Sequence, residues 1–181
     1  MTLKKTSVPD LKLIDELVFK PCNLGLKNIE AEAESHKYAA HRFQLNEKQI
    51  IFRVAKITPT KTGQFVSIWK RNREKITAPF DVDDDFDLLI ILTQTPTNLG
   101  VFIFPKAILH HQLIISGQEK VGKRGMRVYP TWDETASKQA QKAQAWQTGF
   151  FLDFSDSTKF DLNRAKKLLV VAPSGNNAIT S

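Results

Sequence analysis

The sequence predicts an α/β fold, with a central mixed sheet flanked by helices in a single domain that spans residues 1–181. The stretch 87–92 is continuously apolar after its first residue, as is typical of a strand buried on both faces, and a second apolar stretch follows at 100–104. Segments with helical spacing at 9–19 and 134–147 lie on either side of these strands in the chain. No Gly/Ser-rich or Pro-rich linker divides the chain, so one core is expected.

The first part of the chain predicts two helices and a strand. Pro9 opens a helix through Phe19, because apolar residues recur at helical spacing until Pro21 ends the pattern. The segment 28–40 is rich in Glu and Ala, and its early carboxylates suit the positive end of a helix dipole, so a second helix is predicted there. A short strand over 42–45 follows.

Residues 49–73 predict a cationic hairpin, which we expect to form the ligand-binding surface. Its two apolar runs, 50–56 and 65–69, are separated by a turn at 58–63, where a proline cannot extend the ladder and Gly63 is free to adopt a positive φ. Like charges on neighbouring strands repel unless an anion lies between them, which favours an anion-binding role. The alternative is a solvated edge strand made basic to prevent edge pairing. The cations of this hairpin are Arg53, Lys56, Lys61, Lys70, Arg71 and Arg73.

A second cationic segment, 117–127, contains three glycines. It lacks the Gly-Lys-Ser/Thr ending of a P-loop, but its amides and cations are suited to phosphates. Two aromatic residues, Tyr129 and Trp132, follow it. Aromatic faces among basic residues suit stacking on an unpaired base, and ordinary core packing is the alternative use. The cations of this segment are Lys120, Lys123, Arg124 and Arg127.

The remaining elements follow from simpler signals. An acidic loop at 81–87 precedes the apolar strands, and the helix at 134–147 carries alanines and Trp146 at three- and four-residue steps, which predicts close packing against the sheet. A last strand at 150–154 and a short helix at 161–167 complete the fold. The tail from residue 174 onward is expected to be flexible.

Composition limits the classes of partner. The formal net charge of +7 and the pI near 9.5 indicate an anionic partner, such as nucleic acid or lipid headgroups. Cys22 is the only cysteine, which excludes an intramolecular disulfide. The longest apolar runs, 88–92 and 168–172, are too short to cross a bilayer, and residues 1–10 do not resemble a secretion signal. We therefore expect a cytoplasmic protein without membrane insertion.

Several of these motifs, in this order, resemble the MepB family of bacterial proteins. The resemblance is carried by 52–71, by the strand pair within 87–106, by GlyLysArg and ArgValTyrProThrTrpAsp within 122–133, and by TrpGlnThrGlyPhePhe at 146–151. It covers the chain from about residue 34 to residue 151. The resemblance implies a bacterial cytoplasmic protein and does not specify its chemistry.

The order of elements is also similar to the core of PD-(D/E)XK nucleases, which implies a restriction-endonuclease-like fold. In that superfamily two acids hold Mg²⁺ and a lysine helps to orient the attacking water. Lys56 takes the lysine position, but Val54 stands where an acid belongs, and valine cannot bind a metal. Glu34 is therefore a single candidate ligand, and the resemblance implies a degenerate site.

These observations lead to one favoured function and two alternatives. We favour a nucleic-acid-binding protein without catalytic activity, cofactor or metal site, and DNA and RNA both remain open as partners. One alternative is a Mg²⁺-dependent nuclease with a migrated site that includes Glu34, Lys56 and Asp87. The other is an interaction or regulatory module that binds an anionic ligand. The predicted nucleic-acid contacts are Arg53, Lys56, Lys61, Trp69, Lys70, Arg71, Lys123, Arg124, Arg127 and Trp132.

Overall fold

A computed structural model describes residues 9–170, so the predicted flexible tail from residue 174 lies outside the described residues. Within the described range the chain forms eleven strands and four α-helices. The helices are α1 (Pro9–Ile14), which continues as a π-helix over Asp15–Phe19, α2 (Lys106–His111), α3 (Lys138–Gln147) and α4 (Leu162–Leu169). The strands are β1 (Leu26–Ala31), β2 (His41–Leu45), β3 (Lys48–Val54), β4 (Lys56–Ile57), β5 (Gln64–Ser67), β6 (Trp69–Arg71), β7 (Thr77–Pro79), β8 (Leu88–Gln94), β9 (Leu99–Pro105), β10 (Gly125–Val128) and β11 (Phe151–Asp153).

Six of these strands form the central sheet of the described chain, in the order β1-β2-β3-β8-β9-β11. β3 and β8 run parallel, whereas the other neighbouring pairs are antiparallel. The sheet is therefore mixed and carries helices on both faces, which confirms the predicted fold class. The apolar stretch predicted to be buried on both faces is β8, and its residues 88–93 are all buried.

Side chains of the central strands alternate between two apolar clusters, one on each face of the sheet. Ile50, Phe52 and Val54 of β3 join the cluster that α1 and α4 cover. Ile51 joins the opposite cluster, which a second layer covers. Because the side chains of a strand alternate, Arg53 lies on the same side as Ile51, under this second layer.

The second layer consists of α2, α3 and a three-stranded sheet in the order β10-β5-β4. Val66, Met126 and Val128 are buried on its inner face. On its outer face three residues lie side by side, because Lys56 of β4 and Arg127 of β10 are both paired with Phe65 of the middle strand. This outer face is part of the candidate site described below.

The predicted hairpin is present only in part. The turn at 58–63 forms, with Gly63 at a φ of 81°. The first strand, however, splits, because β3 pairs with β2 and β8 in the central sheet and only the short β4 pairs with β5. The prediction that Arg53 lies on an exposed hairpin face was wrong, since the residue is 0% exposed in a strand covered on both sides.

The helix predicted at 28–40 was also wrong. Residues 26–31 form β1 at the edge of the central sheet, and a 3-10 turn follows at His36–Tyr38. Helix propensity favoured Glu and Ala here, but pairing with β2 overrides it. Asn28 has a φ of 54° at an irregularity of the β1–β2 register, a conformation that no helix contains.

The other predicted elements lie close to their expected positions. The strands at 87–92 and 100–104 correspond to β8 and β9, and the helix at 161–167 corresponds to α4, which Asp161 caps. α3 begins later than predicted, at Lys138. Among residues 9–170, no helix combines the length and the apolar character that a bilayer span requires.

Candidate nucleic-acid interface

A groove of about 770 Å³ opens between the outer face of β10, the turn at 58–63 and α3. Phe65 and its neighbours form the floor, and α3 forms one wall, where alanines leave room for a ligand. The groove is lined by three cations, Lys61, Lys123 and Arg127, and by three aromatic residues, Phe65, Tyr129 and Trp146.

The three cations are not neutralised by any carboxylate in the described part of the chain. Among residues 9–170, no carboxylate oxygen lies within 4.0 Å of the charged nitrogens of Lys61, Lys123 or Arg127. Both lysines are exposed. Ser137, which caps α3 by accepting a hydrogen bond from Ala140 N at 3.1 Å, also lines the groove, so the positive end of the helix dipole faces the same space. The groove therefore presents positive potential to an anion.

Arg127 holds the turn that carries Lys61 through hydrogen bonds to this turn. Its Nη2 donates to Thr58 Oγ1 at 2.9 Å, and its Nη1 lies 3.4 Å and 3.5 Å from the carbonyl oxygens of Thr62 and Gly63. All of these acceptors are neutral. The arginine thus positions Lys61 at the groove and contributes a positive charge to it.

The aromatic rings are half-buried and packed from behind. Phe65 has the Arg127 guanidinium 6.0 Å from its ring centroid and Tyr38 against its edge at 6.0 Å. A side chain at Gly125 would approach the Phe65 ring to 2.5 Å, so the glycine permits this close contact. Trp146 packs on Phe104 with centroids 5.2 Å apart. These contacts fix the rings and leave part of each one accessible.

Gln147 joins α3 to β10. This residue is 1% exposed, and its Oε1 accepts a hydrogen bond from Tyr129 N at 2.8 Å while its Nε2 donates to Arg127 O at 2.9 Å. The side chain therefore continues the ladder of β10 in place of a neighbouring strand. It fixes the backbone of two groove residues, Arg127 and Tyr129.

The predicted contacts Lys70 and Arg71 lie elsewhere, in a second cleft of about 350 Å³. Lys70 is paired with Asp84, and Arg71 Nε donates to Glu34 Oε1 at 3.0 Å. Since a carboxylate neutralises each cation, neither has an uncompensated charge for a phosphate.

Arg53 lies behind this cleft. Its Nη2 donates to Glu32 Oε2 at 2.8 Å, and its remaining hydrogen bonds go to the carbonyl oxygens of Ser67 and Phe52. Burial lowers the pKa of the Arg53 guanidinium, and the charge of Glu32 opposes this effect. The residue is structural, because no ligand can reach a side chain that is 0% exposed.

The other predicted contacts lie around the groove or apart from it. Lys56 borders the groove beside Phe65, with its Nζ 5.6 Å from the Tyr38 ring centroid. Arg124 is exposed, and its Nη2 donates to Thr77 O at 3.3 Å. Two tryptophans are outside the groove. The Arg71 guanidinium lies 5.6 Å from the Trp69 ring, and Trp132 packs on Phe151 at 5.4 Å.

The candidate catalytic residues do not meet in one place. Asp87 Oδ2 accepts a hydrogen bond from Gln49 N at 2.8 Å, near the start of β3, whereas Lys56 follows the end of that strand. The seven residues of β3 span roughly 20 Å. Glu34 is bound to Arg71. Within residues 9–170, no three His, Cys, Asp or Glu side chains are grouped so that they could hold a metal ion.

Sequence reasoning missed three groove residues. The sequence places Phe65 in an apolar run, whereas in the structure its side chain lies on the face opposite to Gln64 and Val66, which are buried. The stripe of alanines with Trp146 was read as a surface that packs on the sheet, whereas part of it borders the groove. No sequence pattern indicates Gln147, because its partners are backbone groups about twenty residues away.

Comparisons with known proteins agree on one family. A family model described as MepB-like matches residues 32–153, about two thirds of the chain. The crystal structure of MepB is 28% identical with a TM-score of 0.72, over 85% of this chain and 99% of that one. A bacterial homing endonuclease is 13% identical with a TM-score of 0.39, over 75% of this chain and 89% of that one, which is too remote to support an argument. No curated protein matches. The chain belongs to the MepB-like family.

Proposed function

We propose that this protein binds nucleic acid in the groove between β10 and α3 and does not cleave it. The observation that supports this is the presence of three cations, without carboxylate partners among residues 9–170, around three partly accessible aromatic rings. Cations neutralise phosphates and release their counterions, and aromatic faces accept bases of any sequence by stacking. A groove that combines both features suits a sugar-phosphate chain with accessible bases.

The proposal favours a single strand over a duplex. Bases of a duplex are stacked on each other, so the rings at the floor of the groove can contact them only where they are unpaired. Stacking on a ring carries little sequence information, and we therefore expect weak sequence preference. DNA and RNA are both candidates on these grounds.

The second part of the proposal, that the protein does not cleave nucleic acid, rests on the positions of Glu34, Lys56 and Asp87. Phosphodiester hydrolysis with Mg²⁺ requires carboxylates that converge on the metal. Here Asp87 accepts a hydrogen bond from Gln49 N, near the end of β3 opposite to Lys56, and Glu34 is paired with Arg71. The two carboxylates of the nuclease alternative, Glu34 and Asp87, therefore do not converge with Lys56 on one metal position.

Fluorescence anisotropy with labelled single strands and duplexes of the same sequence tests binding. We expect tighter binding of the single strand, and for a strand short enough to occupy the groove alone an affinity that falls with salt at a logarithmic slope of about −2, as three phosphate contacts give at about −0.7 each. Absence of binding at about 50 mM salt, where phosphate contacts are strong, would refute the proposal.

Incubation with plasmid and with a labelled single strand, in the presence of Mg²⁺ or Mn²⁺, tests the second part of the proposal. We expect both substrates to remain intact. Cleavage that is lost in Lys56→Ala would contradict a purely binding role and would support the nuclease alternative.

A further inference from the structure

A basic hairpin, formed by β6 and β7, follows β5 of the second layer along the chain. β6 and β7 pair with each other in a two-stranded sheet, and the tip between them, residues 72–76, is exposed. The tip is ordered by Asn72, whose Oδ1 accepts hydrogen bonds from Glu74 N and Ile76 N, both at 3.0 Å. Arg71 Nη1 also donates to Lys75 O at 3.0 Å. The hairpin therefore has a defined shape without a covering element.

Cations at the base and at the tip of this hairpin differ in their partners. At the base, Lys70 and Arg71 are paired with Asp84 and Glu34, which anchors the hairpin to the rest of the molecule. At the tip, neither Arg73 nor Lys75 has a carboxylate within 4.0 Å in the described part of the chain. Only Glu74 lies between them in sequence, so the tip retains a net positive charge.

Two adjacent cations connect the groove to the hairpin. Lys123 lines the groove, and the next residue, Arg124, donates through Nη2 to Thr77 O of β7. The Arg124 backbone accepts a hydrogen bond from Ile68 N at 3.0 Å, between β5 and β6. Cationic side chains thus follow one another from the groove to the hairpin with no intervening acidic residue in 120–128.

The length of this basic surface follows from the strands beneath it. Arg127 lies opposite Phe65, and the chain runs through β5 and β6 from there to Arg71 at the base of the tip. The six residue steps from Phe65 to Arg71 span at most roughly 20 Å, since β5 and β6 belong to different sheets. Phosphates of one strand lie about 3.4 Å apart along the axis in the stacked geometry of a duplex and farther apart in an extended single strand, so that distance corresponds to about six nucleotides at most.

We propose that the ligand of the groove is a polynucleotide that continues along Arg124 to the β6–β7 hairpin, where Arg73 and Lys75 contact its phosphates. This inference rests on the proposed function of the groove. It assigns a partner longer than the groove itself, and it excludes a mononucleotide or dinucleotide as the full ligand.

The test is the dependence of affinity on length, measured by anisotropy with labelled single strands of about 3, about 8 and about 16 nucleotides. We expect the affinity of the unmodified protein to rise about tenfold or more from the shortest to the middle length. In the double variant Arg73→Gln/Lys75→Gln this gain should be largely lost, and the salt slope with the middle length should become shallower by about 1.4, about 0.7 for each of the two lost contacts. Binding of the shortest strand should not change, which also shows that the variant retains its groove.

Lys166→Gln/Lys167→Gln is the matched control, because it removes the same charge from exposed positions on α4, which covers the opposite face of the central sheet. It should leave the gain with length intact. An equal gain in the hairpin variant and the unmodified protein, or an affinity that does not rise with length, would refute this inference alone. Absence of binding at every length would refute the proposed function as well.

Discussion

At the scale of single residues, the ion pair of Arg53 and Glu32 joins a fully buried guanidinium to a carboxylate that is mostly buried. The guanidinium is fully buried, and its only carboxylate partner in the described residues is Glu32, at 2.8 Å. Glu32 Oε1 lies 3.4 Å from Arg42 Nε and makes no hydrogen bond. Removing one partner of a buried pair leaves an uncompensated charge in the interior, which costs far more than losing an exposed pair.

We therefore predict that Glu32→Gln lowers the free energy of unfolding by about 3 kcal/mol. The matched control is Glu34→Gln, because Glu34 pairs with Arg71, which is 51% exposed in its side chain. That variant should lose less than about 1 kcal/mol, as exposed pairs do. Urea unfolding followed by circular dichroism measures both free energies. Equal losses of unfolding free energy in the two variants would show that the buried Arg53–Glu32 pair contributes no more to stability than the exposed Glu34–Arg71 pair.

Two aspartates are expected to affect stability in opposite directions with pH. Burial raises the pKa of Asp133, whose Oδ2 is buried without a hydrogen-bond partner in the described residues. Hydrogen bonds from the Thr158 side chain and backbone, at 2.6 Å and 2.9 Å, lower the pKa of Asp156. A raised pKa means that the folded state binds more protons than the unfolded state, so stability falls as pH rises past the ordinary value of 3.8. A lowered pKa gives stability that is present above 3.8 and lost as pH falls through the folded value.

The prediction is that Asp133→Asn raises the urea midpoint at about pH 7, because it removes a buried carboxylate, whereas Asp156→Asn lowers it. Both differences from the unmodified protein should shrink toward acidic pH. The urea midpoints of both variants are measured at neutral and at acidic pH, and each variant serves as the control for the other. A midpoint that shifts in the same direction for both at neutral pH would contradict the assignment.

At the scale of elements, the join between α3 and β10 depends on one side chain. The buried side chain of Gln147 bonds to the backbone N of Tyr129 and the backbone O of Arg127, so truncating it removes the partners of two main-chain groups and leaves a space where a buried side chain was. We predict that Gln147→Ala costs about 3 kcal/mol in unfolding free energy. Gln141→Ala, on the exposed side of the same helix, should cost less than about 1 kcal/mol. Similar losses of unfolding free energy in the two variants would contradict the role of Gln147 in joining α3 to β10.

Elements whose formation depends on local signals were predictable, and those that depend on distant pairing were not. The run of apolar residues in β8 is itself the signal of burial on both faces, and Asp161 caps α4 at a position that local sequence indicates. β1 was mistaken for a helix because only its pairing with β2 makes a Glu- and Ala-rich segment extended. Likewise, nothing within residues 49–73 shows that β3 pairs with β8, which lies over thirty residues later.

At the scale of the whole molecule, the fold separates predicted cations that line the groove from others that a carboxylate neutralises. Lys61, Lys123 and Arg127, which come from two distant segments of the chain, all line the groove. Lys70 and Arg71 are instead neutralised by Asp84 and Glu34. The sequence shows where the positive charges are but not which of them are paired, because each carboxylate partner here comes from a different part of the chain. The groove cations account for the predicted salt dependence of binding.

The measurement that tests this account most directly is the salt dependence of single-strand binding in Lys61→Gln/Lys123→Gln. Both lysines are exposed and without carboxylate partners in the described residues, so the variant should fold normally by circular dichroism. We predict a loss of affinity of about tenfold or more at low salt and a logarithmic salt slope that is shallower by one to two, while Lys166→Gln/Lys167→Gln binds as the unmodified protein does. An affinity and a slope that are the same in all three proteins would contradict the assignment of the groove as the nucleic-acid interface.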